Sequence, residues 1–506
     1  MEVVKFMKTL SFGPLLGDVT SSTAKVWGAL ADGITDLDKA DFGRIRFREL
    51  GNAAWSKTYS FRFNAGFQYT GVVQLCGLKP ATQYEYQVGY SAEASAFDWP
   101  DEHPKHVFST TTLWQWGESF HFALGSCLYP RKSFVAANNS ALGVDKAFRH
   151  VSHWHQQTPL SLMILMGDQI YADTGNVGEV ATDMADYVGH YHRLFRGRDF
   201  AKAVSVVPTY MVMDDHEIHD KFSSGSDAFI SKIPWWKRFL GLQTPKLNHQ
   251  RFINGLGAYN AFQAVHSPVF DDLVQKNQHI AFVKGQRGSD IPDCYYYVKN
   301  YGDCSFFFLD TRLERTHNDI ISDTQCAALK AWLRDDPAKV KFVVSAVTFL
   351  ADAKAGWFES ADNWALDCKR RNQILATIVK HDIKNVFFLA GDIHASFLAT
   401  LKYKGKALPV HQIACSGLHW PIGGLNGLVG NLFRWQRDNV RFGKRIKGTV
   451  RFALSQPISE QGVDYYSGNG IGRIDIEGND LIFSVAARKD CPGQEYRLVA
   501  RVPLLR

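Results

Sequence analysis

The stretch LMILMGDQIYAD, Leu162–Asp173, runs apolar for five residues and then stops at Gly167 and Asp168. An apolar run without alternation suits a strand buried on both faces, because a half-exposed strand would alternate polar with apolar. The glycine and carboxylate that follow put a tight turn and a cation-binding oxygen at the strand's carboxyl end, where open α/β sheets bind ligands. The same pattern recurs along the chain in FHFALGSC (120–127), TYMVMDDHE (209–217), CSFFFLDTR (304–312), KFVVSAVTFL (341–350) and NVFFLAGDIH (385–394).

Helical stretches lie between these runs, over Val144–Gln157, Thr182–Phe200, Gly257–His266, Thr324–Arg334 and Cys368–His381. Ser322 with Gln325 opens one of them as a capping box. Strand alternating with helix predicts a layered α/β core. GIGRIDIEGNDLIFSVAAR, near the end of the chain, reads as two further strands turning at Gly478–Asp480. GNGIG (468–472) partly imitates a dinucleotide loop, but no strand-then-helix context surrounds it, and it reads as a turn. The first ~115 residues differ, with short alternating strands and turns. Within them GLKPATQYEYQV (77–88) has the turn and alternating tyrosines of a fibronectin type III corner, and no group of catalytic side chains. The expected organisation is an all-β sandwich over 1–115 and a catalytic α/β unit over 116–506.

Five of the buried strands end in side chains able to bind metal: Cys127; Asp168 with Tyr171; Asp214, Asp215 and His216; Asp310 with Arg312; Asp392 with His394. Singly, each has a plain structural reading. An aspartate past a strand is often a helix N-cap, and Arg312 would pair with Asp310. Together they argue otherwise, because gathered carboxylates repel one another unless cations neutralise them.

GDQIYAD, DDHEIHD, LDTR and GDIHAS, in this order, resemble the motifs of the alkaline phosphatase D (PhoD-like) metallophosphoesterases. The N-terminal fibronectin-like region extends the resemblance over nearly the whole chain. It implies a calcineurin-like core of two sheets flanked by helices, and hydrolysis of phosphate diesters, with monoesters, by a metal-bound hydroxide. It also implies a ferric ion on Cys127, Asp168 and Tyr171, with Asp168 bridging. Asp392 and His394 are the final ligand pair. Asp215 holds a second, divalent ion: calcium first, with zinc, manganese or magnesium as alternatives. His216 lies over the phosphate as proton donor or charge stabiliser, Arg312 is a phosphate clamp, and Asp214 a supporting residue. Asp220 stands where some members carry asparagine. The competing readings are a calcineurin-like phosphatase with two ordinary divalent metals, and a noncatalytic binding protein that has kept the fold.

The totals set bounds on these readings. The chain has 506 residues, 45% hydrophobic and 21% charged, enough for a large core and two or three domains. A net charge of +7 suits an anionic ester and is too diffuse to indicate nucleic acid. The eight cysteines include no CxxC pair, which excludes a zinc ribbon. No signal peptide and no membrane-length apolar run is read, so a cytoplasmic location is expected. PWWKRFLGL (234–242) and FRWQRDNVRFGKRIK (433–447) interleave aromatics with positive charge: a solvated basic surface, or a lid or lipid contact. No obligate protein partner is inferred.

Overall fold

A computed structural model describes residues 5–31, 43–91, 97–130, 143–173, 180–222, 248–270, 273–283, 292–350, 363–364, 366–403, 406–420, 452–455 and 465–505. The basic aromatic segments 234–242 and 433–447 lie outside them.

The apolar runs form the strands Phe120–Gly125, Leu162–Met166, Thr209–Val212, Cys304–Phe308, Val340–Ser345 and Val386–Ala390, each buried along its whole length. The first three pair in parallel, and the last three pair in parallel with one another. Among the described residues the first three form one half of a six-stranded sheet, with Thr209–Val212 at its edge, and the last three lie inside a seven-stranded sheet. The sheets pack face to face through aromatic rings. Phe122 meets Phe306 at 5.4 Å and Phe342 at 5.2 Å, both edge to face, the favoured arrangement for stacked quadrupoles. The outer face of the first sheet is covered by the helices Phe148–Gln157, Met184–Phe195, Arg198–Val204 and His249–Phe262. That of the second is covered by Asp323–Asp335 and Cys368–Lys380. The expected α/β layers are therefore helix, sheet, sheet, helix.

Local details depart from the expectation for physical reasons. The helix predicted over Thr182–Phe200 breaks at Arg196–Gly197 into two, because Gly197 takes an extended conformation as the cap of the second. The helix predicted from Gly257 starts at His249, capped by the Asn248 side chain. The Ser322 hydroxyl caps its helix through Gln325 N–H, but the Gln325 side chain bonds the Asp310 backbone and Glu314 instead of closing the box. At the end of the chain a third strand, Leu498–Pro503, joins Gly470–Glu477 and Asp480–Ala487. All three extend the first sheet antiparallel beside Phe120–Gly125.

Among the described residues the N-terminal region is a sandwich of a four- and a five-stranded antiparallel sheet around its own core. The Tyr84 hydroxyl accepts from Lys79 N–H at 2.9 Å, fastening the corner that GLKPATQY makes. Strands from far along the chain complete the five-stranded sheet: the hairpin Leu273–Asn277 and Ile280–Val283 pairs with Thr70–Leu75. Among the described residues no helix is long and apolar enough to cross a membrane.

Candidate metal centre

The predicted donors meet at the carboxyl ends of both sheets. Asp168 lies between three sets of donor atoms, the atoms of each set within 4.8 Å of one another. They are Asp168 with Cys127 and His394, Asp168 with Asp215 and His216, and Asp168 with Asp214 and Asp392. Cys127 Sγ lies 3.4 Å from Asp168 Oδ2, and the Tyr171 hydroxyl donates to the same oxygen at 3.1 Å. The turns that hold these side chains are unusual backbone. Cys127, Asp168, Asp392 and His394 all have positive φ, between 52° and 66°, which costs a non-glycine residue energy and persists where the surroundings over-determine it. The glycine of each GD pair is sterically required. A Cβ on Gly167, itself at φ 90°, would meet Asp214 Cβ at 2.3 Å, and one on Gly391 would meet Ser126 Oγ at 2.5 Å.

Without a cation the arrangement is electrostatically poor. Burial, then the neighbouring Cys127, drives the Asp168 carboxyl well above its ordinary range, with His216 offsetting part of the effect. Burial and the charge of Asp392 push the Cys127 thiol up to about 12. Burial and His216 push His394 down to about 3, leaving its imidazole neutral, the form that ligates metal. Asp168 Oδ1 and Asp215 Oδ1 are buried without a hydrogen-bond partner among the described residues. Carboxylate oxygens without hydrogen bonds, a neutral imidazole and a thiol that needs a nearby positive charge to ionise are what metal ions would satisfy together. The residues present fit such a group.

His216 differs from the other imidazole. Its Nδ1 is 2.7 Å from Asp173 Oδ1, and Asp173 Oδ2 is held by Asp220 N–H at 2.6 Å. Burial works against a charged ring, but the carboxylates of Asp173, Asp215 and Asp168 outweigh it and raise the His216 pKa well above the usual value. Asp173 is correspondingly lowered, burial being overcome by His216. The ring lies against Tyr171, centroids 4.3 Å apart.

Arg312 is fully buried beneath the centre. Its Nε and Nη2 each lie 2.5 Å from Asp214 Oδ1, and Nη2 is 3.6 Å from Asp215 Oδ1. A clamp must reach the substrate, and this guanidinium instead neutralises Asp214 and braces Asp215. Asp310 accepts from the N–H groups of Arg312 and Leu313, closing its own turn.

Several participants carry no strand-end signal of their own. Glu217, fully buried, accepts from the N–H groups of Asp168, Gln169 and Asp214 and from the Gln263 amide. It thereby ties the turns of two strands together. Trp420 stacks on His394 at 3.7 Å and is itself pinned by Asn469; GNGIG, expected as a turn, instead runs into the strand Gly470–Glu477 directly after Asn469. Ser416 donates to Cys127 Sγ at 3.1 Å and accepts from His394 N–H. Asp173 and Glu217 were visible within GDQIYAD and DDHEIHD; Trp420 and Ser416 follow the strand Lys406–Ala414, which ends in no acid.

Comparison with known proteins gives one reading. The family described as PhoD-like phosphatase matches residues 133–419. Among solved structures the chain resembles one described as the structure of PhoD, at TM-score 0.68 and 15% identity, over 99% of this chain and 91% of the other. It also resembles a purple acid phosphatase from yellow lupin (Lupinus luteus) seeds, at TM-score 0.57 and 10% identity, over 98% and 74%. No curated protein matches the sequence.

Proposed function

Since the chain belongs to the PhoD-like phosphatase family and is a metal-dependent phosphatase, we propose that it hydrolyses phosphate diesters, and monoesters as well, at the Asp168 centre. The observation that carries this reading is the position of Asp168, common to three donor sets. One carboxylate shared in this way suits a bridge between two cations. Cys127, Asp168, Tyr171 and His394 would hold a ferric ion, because thiolate and phenolate favour it, and Asp168, Asp215 and Asp392 a harder divalent ion such as calcium. Bound ions would supply Lewis-acid charge to the phosphate oxygens and make a water acidic enough to attack in line.

The chain's own residues supply the rest. His216, its Nδ1 anchored by Asp173, keeps Nε2 for the phosphate. Held in this way, the ring can stabilise the developing charge or protonate the leaving oxygen. Arg312 acts one layer back, fixing Asp214 and Asp215. Glu217 holds the Asp168 and Asp214 turns in register. Preference for diesters is supported by the motif resemblance to the alkaline phosphatase D phosphodiesterases.

The test is a panel of phosphate mono- and diesters with metal content measured on the same preparation. Iron with a divalent ion, and faster turnover of diesters, is the expected result. An active enzyme loaded only with zinc or manganese would favour the two-divalent-metal alternative, and an inactive, metal-free protein would sink the reading.

A further inference from the structure

A cavity of about 420 Å³ lies against the donor loops. Its wall on that side is built from the sequence neighbours of the proposed ligands. Leu128 follows Cys127, Gln169 follows Asp168, and Tyr171 belongs to both cavity and centre. Leu128, Ile170 and Leu194 make the lining apolar, and all three are buried. At the break between the helices Met184–Phe195 and Arg198–Val204, Arg193, Arg196 and Arg198 complete the lining.

The lining sets three arginines against two acids, Asp145 and Asp199, and so stays net positive. Asp145 Oδ2 is committed to the N–H groups of Asp199 (2.8 Å) and Phe200 (3.2 Å), and Asp199 lies 3.9 Å from Arg149 Nε. Arg196 is held in place by the sandwich. Its guanidinium lies over the Phe12 ring at 5.6 Å, and Phe12 is stacked on His192 at 4.0 Å. Gln169 adds a hydrogen-bond acceptor. Its amide nitrogen donates to Gly167 O, and its buried Oε1 has no partner among the described residues.

An apolar enclosure of this size with a cationic rim selects a ligand that has an apolar body and an anionic end. We propose that this cavity binds an anionic amphiphile, either the organic arm of the ester substrate or a separate effector, and that its occupant acts on the metal centre through Tyr171. The second part rests on the reading of the Asp168 cluster as the catalytic site; the binding itself does not.

The probe is 1-anilinonaphthalene-8-sulfonate, an apolar aromatic with one sulfonate, titrated into the folded, metal-loaded enzyme. Saturable one-to-one binding with a fluorescence rise is expected. The Arg196→Glu/Arg198→Glu variant, altered only at exposed positions, should weaken it by about tenfold or more through charge reversal. The neutral N-phenyl-1-naphthylamine should lose much less, and turnover of p-nitrophenyl phosphate should be unchanged. Competition with bis(p-nitrophenyl) phosphate but not with p-nitrophenyl phosphate identifies the substrate's arm. A changed kcat at saturating substrate identifies an effector. No saturable binding, or binding indifferent to the charge reversal, overturns the proposal. So does binding without any effect on turnover, and so does equal competition with both esters, which places the probe in the metal centre itself. If Asp168→Asn proves as active as wild type, the catalytic reading fails on its own while the binding titration still decides the cavity.

Discussion

Asp168 is the side chain on which the proposed chemistry concentrates. It is buried, carries an unpartnered oxygen, sits in left-handed backbone and belongs to three sets of donor atoms. Asp168→Asn keeps the shape and removes the charge. Turnover should fall on the order of 10³-fold or more, metal content should drop with it, and the melting temperature should hold, because one charge leaves a crowded carboxylate cluster. A folded, metal-loaded Asp168→Asn enzyme with near-normal rate would refute the bridge. Cys127 supplies a spectroscopic counterpart. Thiolate or phenolate on a ferric ion absorbs visible light, so the concentrated protein should be purple or brown, and Cys127→Ser should shift or abolish the band together with iron content. A colourless, iron-free and fully active wild type is the contrary result. Glu217 acts only through others. Glu217→Ala strands three backbone N–H groups, which costs roughly 1–3 kcal/mol apiece, so denaturant midpoints should fall markedly along with activity. An unchanged midpoint would mean that water replaces it.

At the scale of elements, the parallel strands deliver their ends to one place, and the turns after them are aimed by glycines and close contacts. The strand Lys406–Ala414 contributes differently. Its His411 packs flat on Phe387 at 4.7 Å, and burial pushes its pKa down to about 4. The ordinary value is about 6.5. Between those values the unfolded chain binds a proton that the folded chain refuses. The contribution is therefore complete above the unfolded value and is lost as pH falls toward the folded one. Stability should decline over this window by on the order of 1–3 kcal/mol from this residue. Urea midpoints at pH 7 and pH 5 for wild type and His411→Gln measure it. Equal losses in the two proteins would show that His411 does not titrate as argued.

At the scale of the molecule, the sandwich is fastened to the catalytic layers by buried polar bonds as well as apolar area. Trp27 is fully buried, touches Phe195 and Phe262 and donates to Ala261 O. Asp18 accepts from Lys299 at 2.5 Å and from the Tyr210 hydroxyl at 2.7 Å, and Tyr86 donates to Ser205 O. With the hairpin 273–283 paired into its sheet, a sandwich cut at residue 115 loses two strands and exposes Thr70–Leu75 as an edge. We therefore propose 1–115 as a sandwich domain that borrows this hairpin and unfolds together with the core. Trp27→Ala should cost about 3–5 kcal/mol and lower the midpoint of a single calorimetric transition. Two transitions, with only one shifted, would mean that the units melt independently.

The repeated apolar runs were enough to predict the layered α/β core, because full burial on both faces leaves a composition that no half-exposed strand shares. The GD pairs, Cys127 and the DDHE segment pointed to side chains that the structure brings together at strand ends, because each end is local in sequence. The partners of those groups were not legible. Nothing near Arg312 announces that it neutralises Asp214, 98 residues away, or that Asn469 steadies the tryptophan stacked on His394. The borrowed hairpin and the cavity rimmed by Arg193, Arg196 and Arg198 were equally hidden. Hydrophobic period and turn chemistry act between neighbours along the chain, whereas charge pairing, edge completion and cavity shape depend on which distant segments the packed layers bring within a few ångströms.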